Sequence, residues 1–187
     1  EILHPESTMV MIDSCKKFGT EVACIKVEEV ENVTTFPEKL STQPRLIQAP
    51  ITQIFLNKIK PLRNIGGAGS LVARNLLEKA GKADSSIYSQ TMSMSLRCAK
   101  YSNFVFVNNI LSLKQRRAAQ LDKNFESYNN LRATYNFASN HPEICQTIIP
   151  ELLQNLSLEM VSPKLKIRYY LQSIRAKYSK SLVLDQV

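Results

Sequence analysis

Residues 104–113 read FVFVNNILSL, and the fold of the chain depends on how this segment is built. Its first four residues are the one stretch of this region typical of a strand, whereas residues 108–113 continue at a helical spacing. No glycine follows Gly81 in the rest of the chain, which favours long helices with polar turns over tight hairpins. We therefore predict a buried helix over this segment.

The sequence before this segment also has helical patterns. Apolar residues recur at three- and four-residue spacing after Pro50, which suits a first helical position. Ser70 is predicted to cap a helix over residues 71–80 that stops at Gly81, and Asp84 or Ser85 to cap the next helix.

The sequence after this segment continues the same way. Residues 114–139 place their apolar side chains on one helical face. Further helix starts are predicted at residues 140–143, at Pro150 and at Ser162-Pro163. No fixed repeat period is present, so a regular repeat protein is not supported.

The N-terminal residues look extended. A short apolar run over residues 8–12 and an alternating pattern over residues 21–30, separated by Lys16-Lys17-Phe18-Gly19, predict a β-hairpin. Residues 31–50 lack periodicity and contain three prolines, which is typical of a linker. The predicted fold is therefore mainly α: an antiparallel helical bundle or irregular helical array over residues 51–187, with a short N-terminal β-hairpin or extended arm and linker over residues 1–50.

Length and composition exclude several classes of protein. At 187 residues and 21% charged residues, the chain is long enough for one domain with its own core, without disulfides or metal. No apolar run approaches the roughly 18 residues that cross a bilayer, so we expect no membrane partner. Because the chain begins with Glu1 and not Met, we expect a processed product or part of a longer protein, from which any targeting signal would be missing.

The four cysteines form no metal-binding pattern. They stand at positions 15, 24, 98 and 145, without a Cys-x-x-Cys pair or a set of nearby histidines. We interpret them as reduced, mostly buried small apolar residues. Reduced thiols favour an intracellular location, cytoplasmic or nuclear. No metal or cofactor is expected.

Charge is distributed unevenly along the chain. Residues 1–50 hold eight acids and five bases, a balance of −3, whereas residues 51–187 hold nineteen bases and eight acids, a balance of +11. Three stretches of the predicted body, residues 58–63, 85–121 and 160–184, contain bases and no acid. A field of one sign attracts nucleic acid or an acidic partner.

The last of these stretches predicts an amphipathic helix with a positive border. Ile167, Leu171, Ile174 and Tyr178 share one face, flanked by Lys164, Arg168 and Arg175 on one side and by Lys166 and Lys177 on the other. Phosphate contact through these bases is one interpretation. The alternative is a solvated face whose long side chains cover the edge of the core. Tyr169 falls on the polar side, where it could stack on an unpaired base.

Two other features carry weaker hypotheses. Gly66-Gly67-Ala68-Gly69-Ser70 could cradle a phosphate but lacks the residues of a P-loop, and a flexible connector is the simpler interpretation. His141 and Cys145 lie four residues apart, as a base and nucleophile could, but no third orienting group is evident. We expect no enzyme.

The leading hypothesis is a non-enzymatic nucleic-acid-binding domain that contacts the phosphate backbone of RNA or single strands, in a ribonucleoprotein or nucleocapsid-like assembly. The alternative is a helical scaffold for protein–protein interaction in a larger intracellular complex, with an acidic protein surface as partner. Self-association through the N-terminal arm is a further expectation, with packing inside one chain as the simpler alternative. The predicted nucleic-acid-binding residues are Arg63, Arg74, Lys100, Arg116, Arg117, Lys164, Lys166, Arg168, Tyr169, Arg175 and Lys177.

Overall fold

The computed structural model describes residues 2–31, 36, 43–55, 69–87, 90–115 and 162–178. Between residues 116 and 161 it also describes residues 125, 129–130, 132–134, 136–137, 141, 150–151, 153–155, 157–158 and 160.

Helices and strands alternate along the first two thirds of the chain. Their order is β1 (Ile2–Leu3), α1 (Ser7–Phe18), β2 (Val22–Val30), β3 (Arg45–Ile47), α2 (Pro50–Phe55), β4 (Ser70–Val72), α3 (Arg74–Ala80), α4 (Gln90–Ala99), β5 (Phe104–Gln115) and α5 (Pro163–Tyr178). The described residues within 125–137 and 150–158 are helical as well.

The strands form a curled mixed sheet, a half-barrel in the order β1-β5-β2-β4, with β3 also paired to β5. Its centre is the parallel pair of β2 and β5, which starts with Val22 opposite Phe104. β4 is antiparallel to β2, whereas β1 and β3 are antiparallel to β5. The register between β2 and β5 shifts on both sides of Lys26, which marks β-bulges.

The predicted mainly α bundle with an N-terminal hairpin is therefore wrong. Residues 104–115 form the longest strand and not a buried helix, and β2 pairs with strands of the same chain on both of its sides. The physical reason is burial on two faces. A parallel strand covered on both faces reads as a nearly continuous apolar run, which periodicity cannot tell from a buried helix.

The core is divided between the two faces of this sheet. Val22, Cys24 and Phe104 point to one face, where α2, α3, α4 and the later helical residues pack. Ala23 and Val105 point to the other face and pack against α1. Successive residues of β2 and β5 thus belong to alternate clusters, as the pleat of a strand requires.

Helix α1 replaces the first strand of the predicted hairpin. Its buried residues Ser7, Met11 and Ser14 lie three and four positions apart, so they share one helical face. Gly19, predicted as part of a hairpin turn, ends the helix in the left-handed conformation at φ +63°, and its amide donates to the carbonyl of Cys15. A glycine accepts this backbone conformation without a Cβ penalty.

The glycine cluster also leads into the sheet. Ser70 begins β4 and does not cap a helix, because α3 starts only at Arg74. The Gly69 carbonyl accepts a hydrogen bond from the Ile25 amide at 2.9 Å, and a Cβ on Gly69 would lie 2.6 Å from Cγ2 of Val27. This close approach explains the glycine. The predicted stop at Gly81 is confirmed: its amide donates to the Leu77 carbonyl at the end of α3.

Several predicted helix boundaries agree with the structure. α2 begins at Pro50 and α5 at Pro163, as their prolines indicated, and Pro150 is helical. The helix predicted from Lys114 starts too early, because β5 extends to Gln115. The helix after Asp84 starts at Gln90. Across the described part of the chain, every helix is too short or too polar to reach from one side of a bilayer to the other. The domain boundary at residue 50 stays a prediction.

Candidate interaction surface and cleft

Helix α5 carries six of the predicted binding residues, five bases and Tyr169. Pro163 occupies its first position, and the Lys166 amide donates to the carbonyl of Ser162 at 2.9 Å, which closes the first turn. Arg175 and Lys177 lie in the last turn, where positive charge is favoured by the helix dipole. The helix contains no acidic residue.

One face of α5 packs on the body of the protein. Tyr169 is 3% exposed and belongs to the same core cluster as Leu153 and Met160, with Leu165 packed against it. Ser173 is buried one turn later, and its hydroxyl donates to the Tyr170 carbonyl at 2.6 Å. The prediction that Tyr169 lies on the polar side of the helix is therefore wrong, because the ring is buried in the core. Its ring is not exposed for stacking on a base. Its neighbour Tyr170 is the exposed tyrosine.

The opposite face of α5 shows its apolar residues to solvent. Ile167 is 61% exposed and Tyr178 is 86% exposed, and Leu171 and Ile174 between them are exposed too. Spacings of three and four residues align these four side chains along the helix. We call this row the α5 stripe. The sequence predicted the row, and the structure points it away from the core.

Bases border the α5 stripe on both sides. The predicted flanking residues Lys164, Arg168 and Arg175, and on the other side Lys166 and Lys177, are all exposed. Together they give α5 five formal positive charges and no negative one. The resulting surface combines a narrow apolar row with a positive rim.

The other predicted residues are distributed elsewhere. Arg74 lies at the start of α3, exposed, with its Nε 3.1 Å from Oε1 of Glu78. Lys100 follows α4, exposed, with its Nζ 5.4 Å from the centre of the Tyr101 ring. Arg63, Arg116 and Arg117 lie outside the described residues. The structure thus brings together the α5 residues, while Arg74 and Lys100 stand on other elements.

Lys100 lines a second feature, a cleft with a volume of ≈ 500 Å³. We call it the Arg97 cleft. Its walls come from the end of α3, from α4 and from the helical residues near position 135. The residues that line it are Ala80, Asp84, Ser93, Arg97, Lys100, Tyr101, Ala133, Asn136, Phe137 and His141.

Arg97 holds one wall of this cleft. Its Nη1 donates to the carbonyls of Ala80 at 3.1 Å and Gly81 at 3.2 Å, and also to that of Lys82. Its Nε donates to the Ser93 carbonyl at 3.3 Å. The guanidinium therefore satisfies carbonyls at the C-terminal end of α3 that the helix itself leaves without partners.

Asp84 and Asn136 connect two other parts of the wall. Oδ1 of Asp84 accepts hydrogen bonds from the amide and hydroxyl of Ser86 at 2.9 Å and 2.7 Å, and Oδ2 accepts one from Nδ2 of Asn136 at 3.2 Å. These bonds from Ser86, with smaller contributions from Asn136 and the charge of Arg97, lower the pKa of Asp84 below 3.8. The carboxylate is therefore ionised at neutral pH.

His141 lines the cleft with its ring, which packs against Phe137. Its ring centre lies 4.5 Å from that of Phe137 at an angle of 38°. Cys145, four residues later in the sequence, lies outside the described residues. Within the residues that the structure describes, no three His, Cys, Asp or Glu side chains are grouped to hold a metal ion.

The described cysteines are free thiols. Cys24 and Cys98 are buried and Cys15 is half-buried, which confirms for these three the prediction of mostly buried residues. Burial raises the pKa of Cys24 to about 12 and that of Cys98 to about 11. Both thiols are protonated at neutral pH and are weak nucleophiles.

The sequence did not predict the hydrogen bonds of Arg97 to the end of α3 or the hydrogen bond between Asp84 and Asn136. Both join positions that are far apart in the chain. The sequence does contain a feature that bears on the direction of the α5 stripe. Leu165, Tyr169 and Ser173 form a second row on α5, and only one of two rows can face the body.

The sequence matches no protein-family model and no curated protein. Conclusions about function therefore depend on the chemistry of α5 and of the Arg97 cleft.

Proposed function

We propose that this chain is a non-enzymatic protein-interaction domain that docks an acidic protein partner through helix α5. The α5 stripe is the observation that carries the proposal: four large apolar side chains in one row on an exposed helix face. A single exposed apolar residue is ordinary, but a contiguous row with a polar rim is typical of a docking surface. An amphipathic helix in an apolar groove is a common mode of protein recognition.

The rim defines the chemistry of the partner. Removing a Leu or Ile side chain from water is worth roughly 1.5–3 kcal/mol when burial is complete. Five bases around the row favour a groove with an acidic border, which raises the association rate and fixes orientation. Phosphate groups would pair with the bases but would leave the apolar row in water.

An intracellular location, cytoplasmic or nuclear, belongs to this proposal. The free thiols of Cys15, Cys24 and Cys98 support it, because such thiols persist in reducing compartments.

A site-specific photo-cross-linker tests the surface in its own context. We would place p-benzoylphenylalanine at Leu171 in the α5 stripe and, as a matched control, at Met9, an exposed apolar residue of α1. In an extract of the source cell, the Leu171 probe is expected to cross-link an acidic protein that the Met9 probe does not. Equal adducts at both positions would contradict the proposal.

The cross-linked protein is then purified and titrated directly. Ile167→Ser and Leu171→Ser are each expected to raise the dissociation constant of the complex by about 10-fold, equivalent to about 1.4 kcal/mol. Met9→Ser is expected to leave it unchanged. Affinity that is unaltered in both stripe variants would exclude α5 as the docking helix.

Nucleic-acid binding is the second candidate, and a specific observation favours it. All seven predicted bases that lie among the described residues are exposed. These are Arg74, Lys100, Lys164, Lys166, Arg168, Arg175 and Lys177. Tyr170 adds an exposed ring on α5 that could stack on a base.

The two candidates respond differently to the same variants. A labelled single-stranded RNA oligonucleotide is titrated across a salt series with the native chain, with Lys166→Ala/Arg168→Ala and with Ile167→Ser/Leu171→Ser. Phosphate binding predicts a steep fall of affinity with salt that the first variant makes shallower and the second leaves alone. The absence of binding at low salt would remove this candidate.

A further inference from the structure

We infer that the Arg97 cleft binds a small ligand in which a planar heterocycle carries an anionic group, the class represented by a nucleoside monophosphate. This inference is independent of docking through α5, because none of the residues that line the cleft belongs to that helix.

The size of the cleft suits such a ligand. Its volume of ≈ 500 Å³ lies within the range of about 300–1,000 Å³ that is typical of small-molecule sites. Its walls are held in place before any ligand arrives, by the bonds of Arg97 to the end of α3 and by the bond between Asp84 and Asn136. A preformed site avoids the entropy of ordering its own walls.

The charges of the cleft favour an anionic group on the ligand. Arg97 and Lys100 contribute two positive charges, against the single carboxylate of Asp84. The ammonium of Lys100 is exposed and lies over the Tyr101 ring, so it can reach toward a bound phosphate or carboxylate. Arg97 adds a fixed positive charge deeper in the wall.

The carboxylate of Asp84 suits the other part of the ligand. Its two oxygens already accept bonds from Ser86 and Asn136, which fix its orientation. A carboxylate oxygen accepts more than one hydrogen bond, so Oδ2 retains capacity for an N–H of a heterocycle. One acid together with two bases thus matches a ligand that carries both an anionic group and a hydrogen-bond donor.

Aromatic rings complete the match. Tyr101 is exposed at the rim, and the rings of Phe137 and His141 lie together in the wall. Flat side chains of this kind offer surfaces on which a heterocycle stacks. An aliphatic anion would pair with the charges but has no flat face to stack on these rings.

Isothermal titration calorimetry with adenosine monophosphate as the probe tests this inference, with adenosine and inorganic phosphate as controls. We expect saturable binding of the monophosphate and at least about tenfold weaker binding of each control, since each lacks one of the two parts. No saturable binding up to about 10 mM, or phosphate binding as tightly as the monophosphate, would overturn the inference.

Variants locate the ligand. Lys100→Ala and Tyr101→Ala change exposed side chains, and each is expected to weaken binding by about 3- to 10-fold. Tyr101→Phe keeps the ring and is expected to restore native affinity. Lys164→Ala on α5 is the matched control and is expected to change nothing. Affinity that Lys100→Ala and Tyr101→Ala both leave intact would place the ligand elsewhere and overturn the inference.

Discussion

Strand β5 and helix α5 both carry rows of apolar residues, and the structure treats these rows in opposite ways. Phe104 and Val105 are completely buried although they point to opposite faces of the sheet. On α5, Tyr169 is buried whereas Ile167 and Leu171 are exposed. Every apolar side chain gains free energy when it is buried. The position of the helix or strand in the fold decides which of its apolar side chains are buried.

The neighbours explain the difference. β5 pairs with β2 on one edge and with β1 and β3 on the other, and it has helices above and below. α5 packs on the body by the face that carries Leu165 and Tyr169. Its second apolar row is exposed, and we propose that an acidic protein partner covers it.

The largest effect is expected at the centre of the sheet. Phe104→Ala removes a fully buried ring and should lower the free energy of unfolding by about 3–5 kcal/mol, because it leaves a cavity between β5 and the helices. Ile167→Ala on the α5 stripe should change it by less than about 0.5 kcal/mol. Urea unfolding monitored by circular dichroism measures the free energy of unfolding of both variants. Similar losses in the two variants would erase the distinction between the two rows.

Two adjacent tyrosines sharpen the comparison within one helix. Tyr169→Ala should lower the free energy of unfolding by about 2–4 kcal/mol, because the ring lies in the core. Tyr170→Ala, a change of the same side chain one residue later, should cost less than about 0.5 kcal/mol. The same denaturation experiment applies. A larger loss for Tyr170→Ala would mean that α5 packs by its other face.

Two arginines give the next smaller effect. Arg97→Ala leaves carbonyls at the end of α3 without their donor, and a loss of about 1–2 kcal/mol is expected. Arg74→Ala breaks an exposed ion pair with Glu78 and should cost no more than about 0.5 kcal/mol. Arg97→Lys should not restore stability, because one ammonium cannot span the same carbonyls. Thermal unfolding compares the three, and full rescue by lysine would contradict the capping geometry.

The smallest effect concerns pH. The pKa of Asp84 is lowered in the folded chain, chiefly by hydrogen bonds from Ser86. Its carboxylate therefore stabilises the fold above about pH 4, and this contribution is lost as pH falls through the folded pKa. The stability difference between the native chain and Asp84→Asn should be larger at about pH 6 than at about pH 3. A difference that grows on acidification would refute the assignment.

The sequence predicted local features of this fold better than its architecture. Prolines and glycines marked real boundaries, at Pro50 and Pro163 and at Gly81, because their backbone preferences act within a few residues. The sheet was missed because its central pair joins residues 22–30 to residues 104–115, and no local pattern encodes such a pairing. The run at residues 8–12 was misread for the same reason, since a short apolar run fits a strand or a helix equally well.

The candidate site was predicted in the same partial way. The positive border of the α5 stripe followed from helical geometry, which depends only on spacing within one segment. The burial of Tyr169 depends on contacts with Leu153 and Met160, which spacing on α5 cannot show. The Arg97 cleft is assembled from three separate segments, so its residues carry no common signal in the sequence.

The pairing of β2 with β5 also sets the order of events when the chain is made. β2 leaves the ribosome long before its parallel partner β5, because helices α2, α3 and α4 are synthesised between them. Contacts of such long range slow folding, and an apolar strand without its partner is prone to aggregation. Translation that stops before Phe104 therefore releases a chain whose central strand has nothing to pair with on that side.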